Sequence, residues 1–132
     1  MTRDTDLLLD QAERIALKAH VPYSRFRVGA VVVLPDGSTF EGCNVENAAY
    51  GASVCAEVNA ITTAVASGAT EIDTVAVVCL DGGRCTPCGN CRQVMREFGV
   101  RTVIMRNDDG SATEVPLNDL LAMSFGPEDL DR

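Results

Sequence analysis

The chain reads Cys55-Ala56-Glu57 and, further along, Pro87-Cys88-Gly89-Asn90-Cys91, and these two segments decide how it folds and what it binds. Three thiols and one carboxylate at this spacing are the parts of a catalytic zinc site, in which zinc has three protein ligands and an open position for water. A carboxylate that is not itself a ligand can move a proton of that water. We therefore expect Zn2+ to be held by Cys55, Cys88 and Cys91. Glu57 is the expected acid and base.

The predicted helices explain why these thiols would serve as ligands. Cys55 opens an Ala-rich helix predicted to reach Ser67, and Cys88 and Cys91 lie at the start of the next helix. Helix N-termini carry partial positive charge and unpaired N–H donors, so they favour thiolate over thiol. A site of three thiolates needs such positive ends nearby.

The order of ligands and carboxylate also indicates a reaction. A first ligand, a Glu two residues later, and a downstream Pro-Cys-x-x-Cys are typical of zinc enzymes that remove the amino group of a nucleobase. The first ligand in that pattern is His or Cys, and here it is Cys55. The sequence predicts a hydrolytic deaminase.

The cysteine spacing is also compatible with other kinds of site. Cys88-x-x-Cys91 alone is compatible with a redox pair, and Cys85-x-x-Cys88-x-x-Cys91 is superficially similar to an iron–sulfur run. The ferredoxin pattern requires a further Cys-Pro after the third Cys, and Val94-Met95 follows here. A structural zinc with Cys85 as its fourth ligand stays open, although it leaves Glu57 without a role.

Hydrophobic patterning predicts one domain, residues 1–132, with strands and helices interleaved. The expected elements are a helix over 5–19, a hairpin of Val28–Leu34 and Thr39–Phe40, a helix over Cys55–Ser67, a strand over Thr74–Leu80, a helix over Cys91–Phe98, a strand over Thr102–Met105 and a short helix near Leu117–Ala122. This order predicts an α/β protein with one mixed sheet between helices.

Charge and composition limit the classes of molecule that the protein is expected to bind. A net charge of −8 argues against binding a nucleic-acid backbone and suits a small neutral substrate. The longest apolar run, Val28–Leu34, is too short to span a membrane. Because the acidic N-terminal segment is unlike a signal peptide, the six cysteines indicate a reducing, cytoplasmic location.

Taken together, the chain resembles the cytidine deaminase family, in its small homotetrameric branch with three zinc-binding cysteines. The resemblance implies a three-layer α/β/α sandwich around one mixed five-stranded sheet, and conversion of cytidine and 2′-deoxycytidine to their uridine forms plus ammonia in pyrimidine salvage. It is carried by four segments in order and by the tail: residues 21–30, residues 42–50, Cys55-Ala56-Glu57, residues 87–93 and residues 120–130.

The resemblance also implies roles for individual residues. Glu57 would move a proton from water to N3 of the base and then to the departing ammonia. Substrate contacts would come from Phe26 against the base, Asn44 and Glu46 at the ribose 3′-hydroxyl, and Ala56 and Pro87 at the pyrimidine edge. Tyr50 and Phe125 would reach the active site of a neighbouring subunit.

One position departs from the family pattern. The residue after Cys-Ala-Glu is Val58, where the family usually has an Arg that offsets the thiolate charge. Arg84, Arg92 or the Asn59 amide are candidates to compensate. Relatives without this Arg include the blasticidin S deaminases, so a deaminase of modified cytosine nucleosides is the alternative function. A zinc-stabilised binding module without turnover is the alternative from another class, and a polynucleotide deaminase is disfavoured by the acidic balance.

Overall fold

The computed structural model describes residues 4–130. Its elements follow the chain as α1 (Thr5–Ala16), β1 (Val28–Val33), β2 (Thr39–Cys43), α2 (Ala56–Ala66), β3 (Thr74–Cys79), α3 (Gly89–Glu97), β4 (Thr102–Arg106), β5 (Ala112–Pro116) and α4 (Leu117–Leu120). Two short 3-10 helices lie at Tyr50–Ala52 and Pro127–Asp129. Between residues 4 and 130, none of the helices has the length and apolar character needed to cross a bilayer.

The five strands form one sheet in the order β2-β1-β3-β4-β5. Strand β1 pairs antiparallel with β2 and β3, whereas β3 pairs parallel with β4. Strand β5 lies at the edge, antiparallel to β4. A parallel pair requires a crossover connection, and α3 lies in the connection from β3 to β4. The prediction of a mixed five-stranded sheet is confirmed.

Helices cover both faces of this sheet. Successive residues of a strand point to opposite faces, so Ala30 and Val32 of β1 belong to one core cluster while Val31 and Val33 belong to the other. The first cluster includes buried residues of α2 and α3, and the second includes those of α1. The resulting architecture is the expected three-layer α/β/α sandwich.

Helix α1 begins at the predicted place but ends earlier. Oδ1 of Asp4 accepts a 3.1 Å hydrogen bond from the backbone N–H of Leu7 and so caps the helix. The apolar spacing predicted continuation to residue 19, whereas the helix ends at Ala16. The N–H groups of Lys18 and Ala19 bond carbonyls three residues back, at 3.0 and 3.1 Å, which is the tighter pattern of a 3-10 turn.

The position of α2 depends on Gly42 in β2. A Cβ atom at Gly42 would lie 2.8 Å from the carbonyl oxygen of Ala56 and 2.5 Å from the backbone nitrogen of Ala60, both in α2. Real Cβ atoms essentially never approach other atoms so closely. The absence of a side chain at Gly42 lets the α2 backbone lie directly on the sheet. This contact includes Ala56, the middle residue of the Cys55-Ala56-Glu57 segment.

Candidate active site

The three predicted ligands lie together. Their Sγ atoms are all within 4.8 Å of one another, and this is the only such group of potential metal ligands among residues 4–130. The Sγ atom of Cys88 is 4.0 Å from that of Cys55 and 3.5 Å from that of Cys91. A tetrahedral zinc with Zn–S bonds of ~2.3 Å places its sulfurs about 3.8 Å apart. The donor set and its spacing therefore fit Zn2+, and the prediction of zinc as cofactor is confirmed.

Two helix N-termini converge on this cluster. Cys55 is the N-cap of α2, Cys88 is the N-cap of α3, and neither side chain caps its own helix. The first N–H groups of both helices consequently present partial positive charge to the thiols. Cys91 is buried and Cys88 is exposed, so the cluster opens to the surface on the Cys88 side. The local sequence thus supplies both the thiols and the positive charge that a thiolate site needs.

Hydrogen bonds among the thiols make one of them easy to ionise. The hydrogen bond from Cys91, with help from Cys88, lowers the pKa of Cys55 to about 6, even though partial burial opposes the shift. The same contact with Cys55, followed by burial, raises the pKa of Cys91. The cluster shares protons in a way that favours a thiolate at Cys55.

Glu57 lies in the first turn of α2 with only 4% of its surface exposed. Burial raises the pKa of its carboxyl to about 7, and the charge of Cys55 adds to the shift. Glu57 is one of only two polar or charged residues buried in the described part of the chain. A carboxylate is expensive to bury, so its position beside three thiols indicates a chemical role.

Cys85 differs from the three clustered cysteines. It is not part of the group of ligand atoms within 4.8 Å, although it lies near enough for the charges of Cys79, Glu57 and Cys55 to act on it. Burial, then the neighbouring Cys79 thiol, raises its pKa. The geometry favours three protein ligands over the four of a structural site.

Asn59 and Arg92, two of the three candidates to replace the missing arginine, bond main-chain carbonyls, whereas the third, Arg84, is exposed. Val58 packs against the core. The Asn59 amide donates a 2.8 Å hydrogen bond to the carbonyl of Cys43. Arg92 donates to two main-chain carbonyls, those of Pro87 and Leu120. Within residues 4–130 no cationic side chain donates a hydrogen bond to the three thiols.

Asn44 and Glu46, predicted to contact the ribose, hold a neighbouring loop. The Asn44 side chain accepts from the backbone N–H of Val28 at 2.9 Å and donates to the carbonyl of Phe26 at 2.8 Å. Oε1 of Glu46 accepts from the backbone N–H groups of Tyr23 and Ser24, at 3.0 and 3.1 Å. The side-chain hydrogen bond with Ser24 is the main cause that lowers the pKa of Glu46. These two side chains therefore fix the loop that carries Phe26.

The predicted aromatic contacts lie at the surface. The Phe26 ring is partly exposed and packs on Gly82, where a Cβ atom would lie 3.0 Å from its Cε1 atom. Tyr50 is 76% exposed and meets Tyr23 edge to face, with ring centroids 5.9 Å apart. Phe125 is 58% exposed in the C-terminal segment. Ala56 and Pro87 are buried beside the cysteines.

Gln93 and Arg96 of α3 hold the C-terminal segment, a role that was not predicted from the sequence. Gln93 donates a 2.8 Å hydrogen bond to the carbonyl of Phe125, and Arg96 donates a 2.9 Å bond to the hydroxyl of Ser124 and pairs with Glu128. Their spacing of three residues places them on the same face of the helix, and this was the only sign in the sequence that they act together. Their partners in the tail could not be inferred because that tail has no regular pattern.

Comparison with known proteins agrees with this geometry. Residues 2–107 match the family described as the cytidine and deoxycytidylate deaminase zinc-binding region. A cytidine deaminase of Sporosarcina psychrophila is 40% identical over 129 residues, covering 96% of this chain and 95% of its own. A cytidine deaminase of Mycobacterium tuberculosis is 39% identical over 131 residues, covering 98% and 95%.

A solved structure gives the same result. The crystal structure of cytidine deaminase from Burkholderia pseudomallei superposes with a TM-score of 0.86 at 42% identity, covering 95% of this chain and 100% of that one. Family match, near-complete coverage and shared fold all agree with the thiol cluster described above. The chain belongs to the cytidine and deoxycytidylate deaminase family.

Proposed function

We propose that the protein is a zinc-dependent cytidine deaminase that converts cytidine and 2′-deoxycytidine to uridine and 2′-deoxyuridine with release of ammonia. The observation that carries the proposal is the buried carboxylate of Glu57 beside three thiols with zinc-ligand spacing. A structural zinc site, with four protein ligands, would not need that carboxylate. A catalytic site has three protein ligands and a bound water, and the carboxylate is needed to move the proton of that water.

Cys55, Cys88 and Cys91 would hold the metal. When bound, zinc lowers the pKa of a coordinated water and so supplies a nucleophile at neutral pH. The two helix N-termini stabilise the thiolates. The exposed side of Cys88 leaves a path by which a small molecule reaches the cluster.

Glu57 would carry the protons of the reaction. Its carboxylate takes a proton from water and delivers it to N3 of the cytosine as oxygen bonds to C4. It then takes the remaining proton of that oxygen and gives it to the exocyclic amine. The C4–N4 bond breaks, ammonia leaves, and a 4-oxo ring remains, so water is consumed and no oxidant is needed. A carboxyl with a pKa near 7 is suited to both directions of transfer at neutral pH.

The substrate would lie against the Phe26 loop. Phe26 offers a partly exposed ring for the base, and the backbone at Ala56 and Pro87 lies beside the cysteines. Oε1 of Glu46 is used by the loop backbone, which leaves Oε2 for the ribose 3′-hydroxyl. Asn44 would act at the sugar mainly by fixing the Phe26 loop to β1, since its amide bonds the carbonyl of Phe26 and the N–H of Val28.

A second candidate function is deamination of modified cytosine nucleosides such as blasticidin S. The observation that favours it is Val58 in place of the usual Arg, combined with the absence of any cation donating to the thiols within residues 4–130. A site with less positive charge has a more electron-rich zinc. This difference would change substrate preference more than the type of reaction.

We also propose that the chain, acting as one catalytic domain, forms a homotetramer with shared active sites in the cytoplasm. Exposed Tyr50 and Phe125 support shared sites, since large exposed aromatics are enriched at protein interfaces. The six cysteines, all unpaired, support a reducing location. Light scattering of the purified protein measures the assembly directly.

Turnover of a substrate panel tests the function. The loss of cytosine absorbance is followed with cytidine, deoxycytidine, substituted cytosines and blasticidin S, alongside zinc analysis of the same sample. We expect turnover of cytidine and deoxycytidine, and the Glu57→Gln variant should keep zinc and nucleoside binding while losing roughly 10²–10⁴ in turnover. Zinc without turnover of any nucleoside would instead indicate a binding module.

A further inference from the structure

Arg92, the residue after the ligand Cys91, joins two segments of main chain. Its Nε donates a 2.8 Å hydrogen bond to the carbonyl of Pro87, and its Nη1 donates a 2.6 Å bond to the carbonyl of Leu120. The side chain is partly buried. The Pro87 carbonyl belongs to the peptide unit that leads into Cys88, the N-cap of α3.

This contact fixes the geometry of a ligand. A peptide unit is planar, so holding its carbonyl oxygen also holds its nitrogen and the α-carbon of Cys88. The backbone N–H of Arg92 bonds the carbonyl of Cys88 at 3.0 Å, which fixes the other side of the same residue. Cys88 is thus held on both sides by one arginine, although its own side chain is exposed.

The far end of the guanidinium is anchored independently of the thiols. Leu120 is the last residue of α4, and the carbonyls at a helix C-terminus lack partners within the helix. Arg92 satisfies one of them and in return is held in place. A guanidinium is a rigid fork that can serve two carbonyls on different segments, whereas an ammonium is a single point donor.

We infer that Arg92 is a positioning residue for the metal: through the Pro87 carbonyl it holds Cys88 in the geometry that binds zinc, using α4 as its anchor. The inference rests on the proposed function only in taking Cys55, Cys88 and Cys91 as the ligands. It differs from charge compensation for the missing arginine, because it requires the fork of the side chain and not only its charge. Lysine at this position separates the two explanations.

The test measures zinc binding without substrate. Zinc affinity of the full chain is determined by competition with a chromophoric chelator for the native protein, Arg92→Lys and Arg92→Gln, with Arg96→Lys as control. Arg96 lies one turn further along α3 and bonds only the tail. We expect both Arg92 variants to bind zinc roughly 10–100-fold more weakly, the usual effect of losing a group that orients a ligand, and the control to stay within about threefold.

Three results would overturn the inference. Native affinity in Arg92→Lys would mean that charge alone matters. Native affinity in both Arg92 variants would mean that the carbonyl needs no partner. Equal weakening in Arg96→Lys would mean that any damage to α3 loosens zinc. If one Arg92 variant does not fold with zinc, the rate of zinc release into excess chelator is measured for the other. Faster release than from the native protein supports the inference, and a native rate overturns it. Failure of the native enzyme to deaminate cytidine would affect the proposed function but not this comparison.

Discussion

The amide of Gln93 donates a 2.8 Å hydrogen bond to the main-chain carbonyl of Phe125, so the helix that carries Cys91 also holds the C-terminal segment. Arg96, one turn on, bonds the Ser124 hydroxyl and pairs with Glu128. The tail is therefore fixed in main chain while the Phe125 ring remains exposed. In the proposed tetramer this exposed ring would be available to a neighbouring subunit.

Removing that ring should impair catalysis without affecting the metal. We expect Phe125→Ala to lower kcat/KM for cytidine because the proposed shared site would lose one of its walls, while zinc content stays native. Leu130→Ala is the matched control, since Leu130 is also exposed and lies near the end of the same segment. Activity is measured together with light scattering. A native protein that is fully active as a monomer would refute sites shared between subunits.

The cysteines should divide into two classes. Cys88→Ala removes one of three sulfurs in the cluster, so we expect loss of zinc and of turnover. Cys85→Ala removes a partly buried thiol outside the cluster, and zinc content should stay at ~1 per chain as for a three-ligand site. Metal analysis after dialysis measures both. Zinc retained in the first variant and lost in the second would identify Cys85 as a ligand.

How much of this was predictable from the sequence depends on how local the signal is. Strands β1 and β3 were predicted because they are runs of apolar residues, and both are buried. The helix starts at Cys55 and Cys88 were predicted from an Ala-rich segment and a helical apolar stripe. Strand β5 was not. It is an edge strand, Ala112–Pro116, with alternating exposed and half-buried positions and a Pro, and only the family resemblance implied a fifth strand.

In the candidate site, too, some features were predictable from local sequence patterns and others were not. The spacing of the cysteines was enough to predict that Cys55, Cys88 and Cys91 form one site, and their Sγ atoms do lie together at the starts of two helices. The hydrogen bonds of Asn44 to the Phe26 loop and of Arg92 to Leu120 join residues far apart in the chain. Such pairings depend on how elements pack, and no periodicity in the sequence carries them.

The loop role of Glu46 gives a prediction about both nucleosides. Glu46→Ala leaves the N–H groups of Tyr23 and Ser24 without their carboxylate and removes the expected partner of the 3′-hydroxyl. Losing hydrogen bonds to a charged group should lower kcat/KM by about ten- to a hundredfold. Deoxycytidine should be affected as much as cytidine, since both keep that hydroxyl. Glu41→Ala, on the exposed part of β2, is the control, and unchanged kinetics on both substrates would exclude this loop from the sugar site.

Close packing at Gly42 ties stability to the metal site. In Gly42→Ala the new methyl group would overlap the backbone of Ala56 and Ala60, so α2 must move away from β2. Overpacking of this kind costs roughly 1–3 kcal/mol of unfolding free energy. Because α2 begins immediately after Cys55 and carries Glu57, we also expect weaker zinc binding and lower turnover.

The matched control for Gly42 is Gly51→Ala, since a Cβ atom at Gly51 meets nothing within 4 Å. Urea unfolding of both variants, each followed by chelator competition for zinc, separates a general glycine effect from displacement of α2. The expected result is a lower unfolding free energy and weaker zinc binding in Gly42→Ala alone. If Gly42→Ala matches Gly51→Ala in both measurements, the helix has room to spare, and the direct contact between α2 and the sheet does not set the position of Cys55 and Glu57.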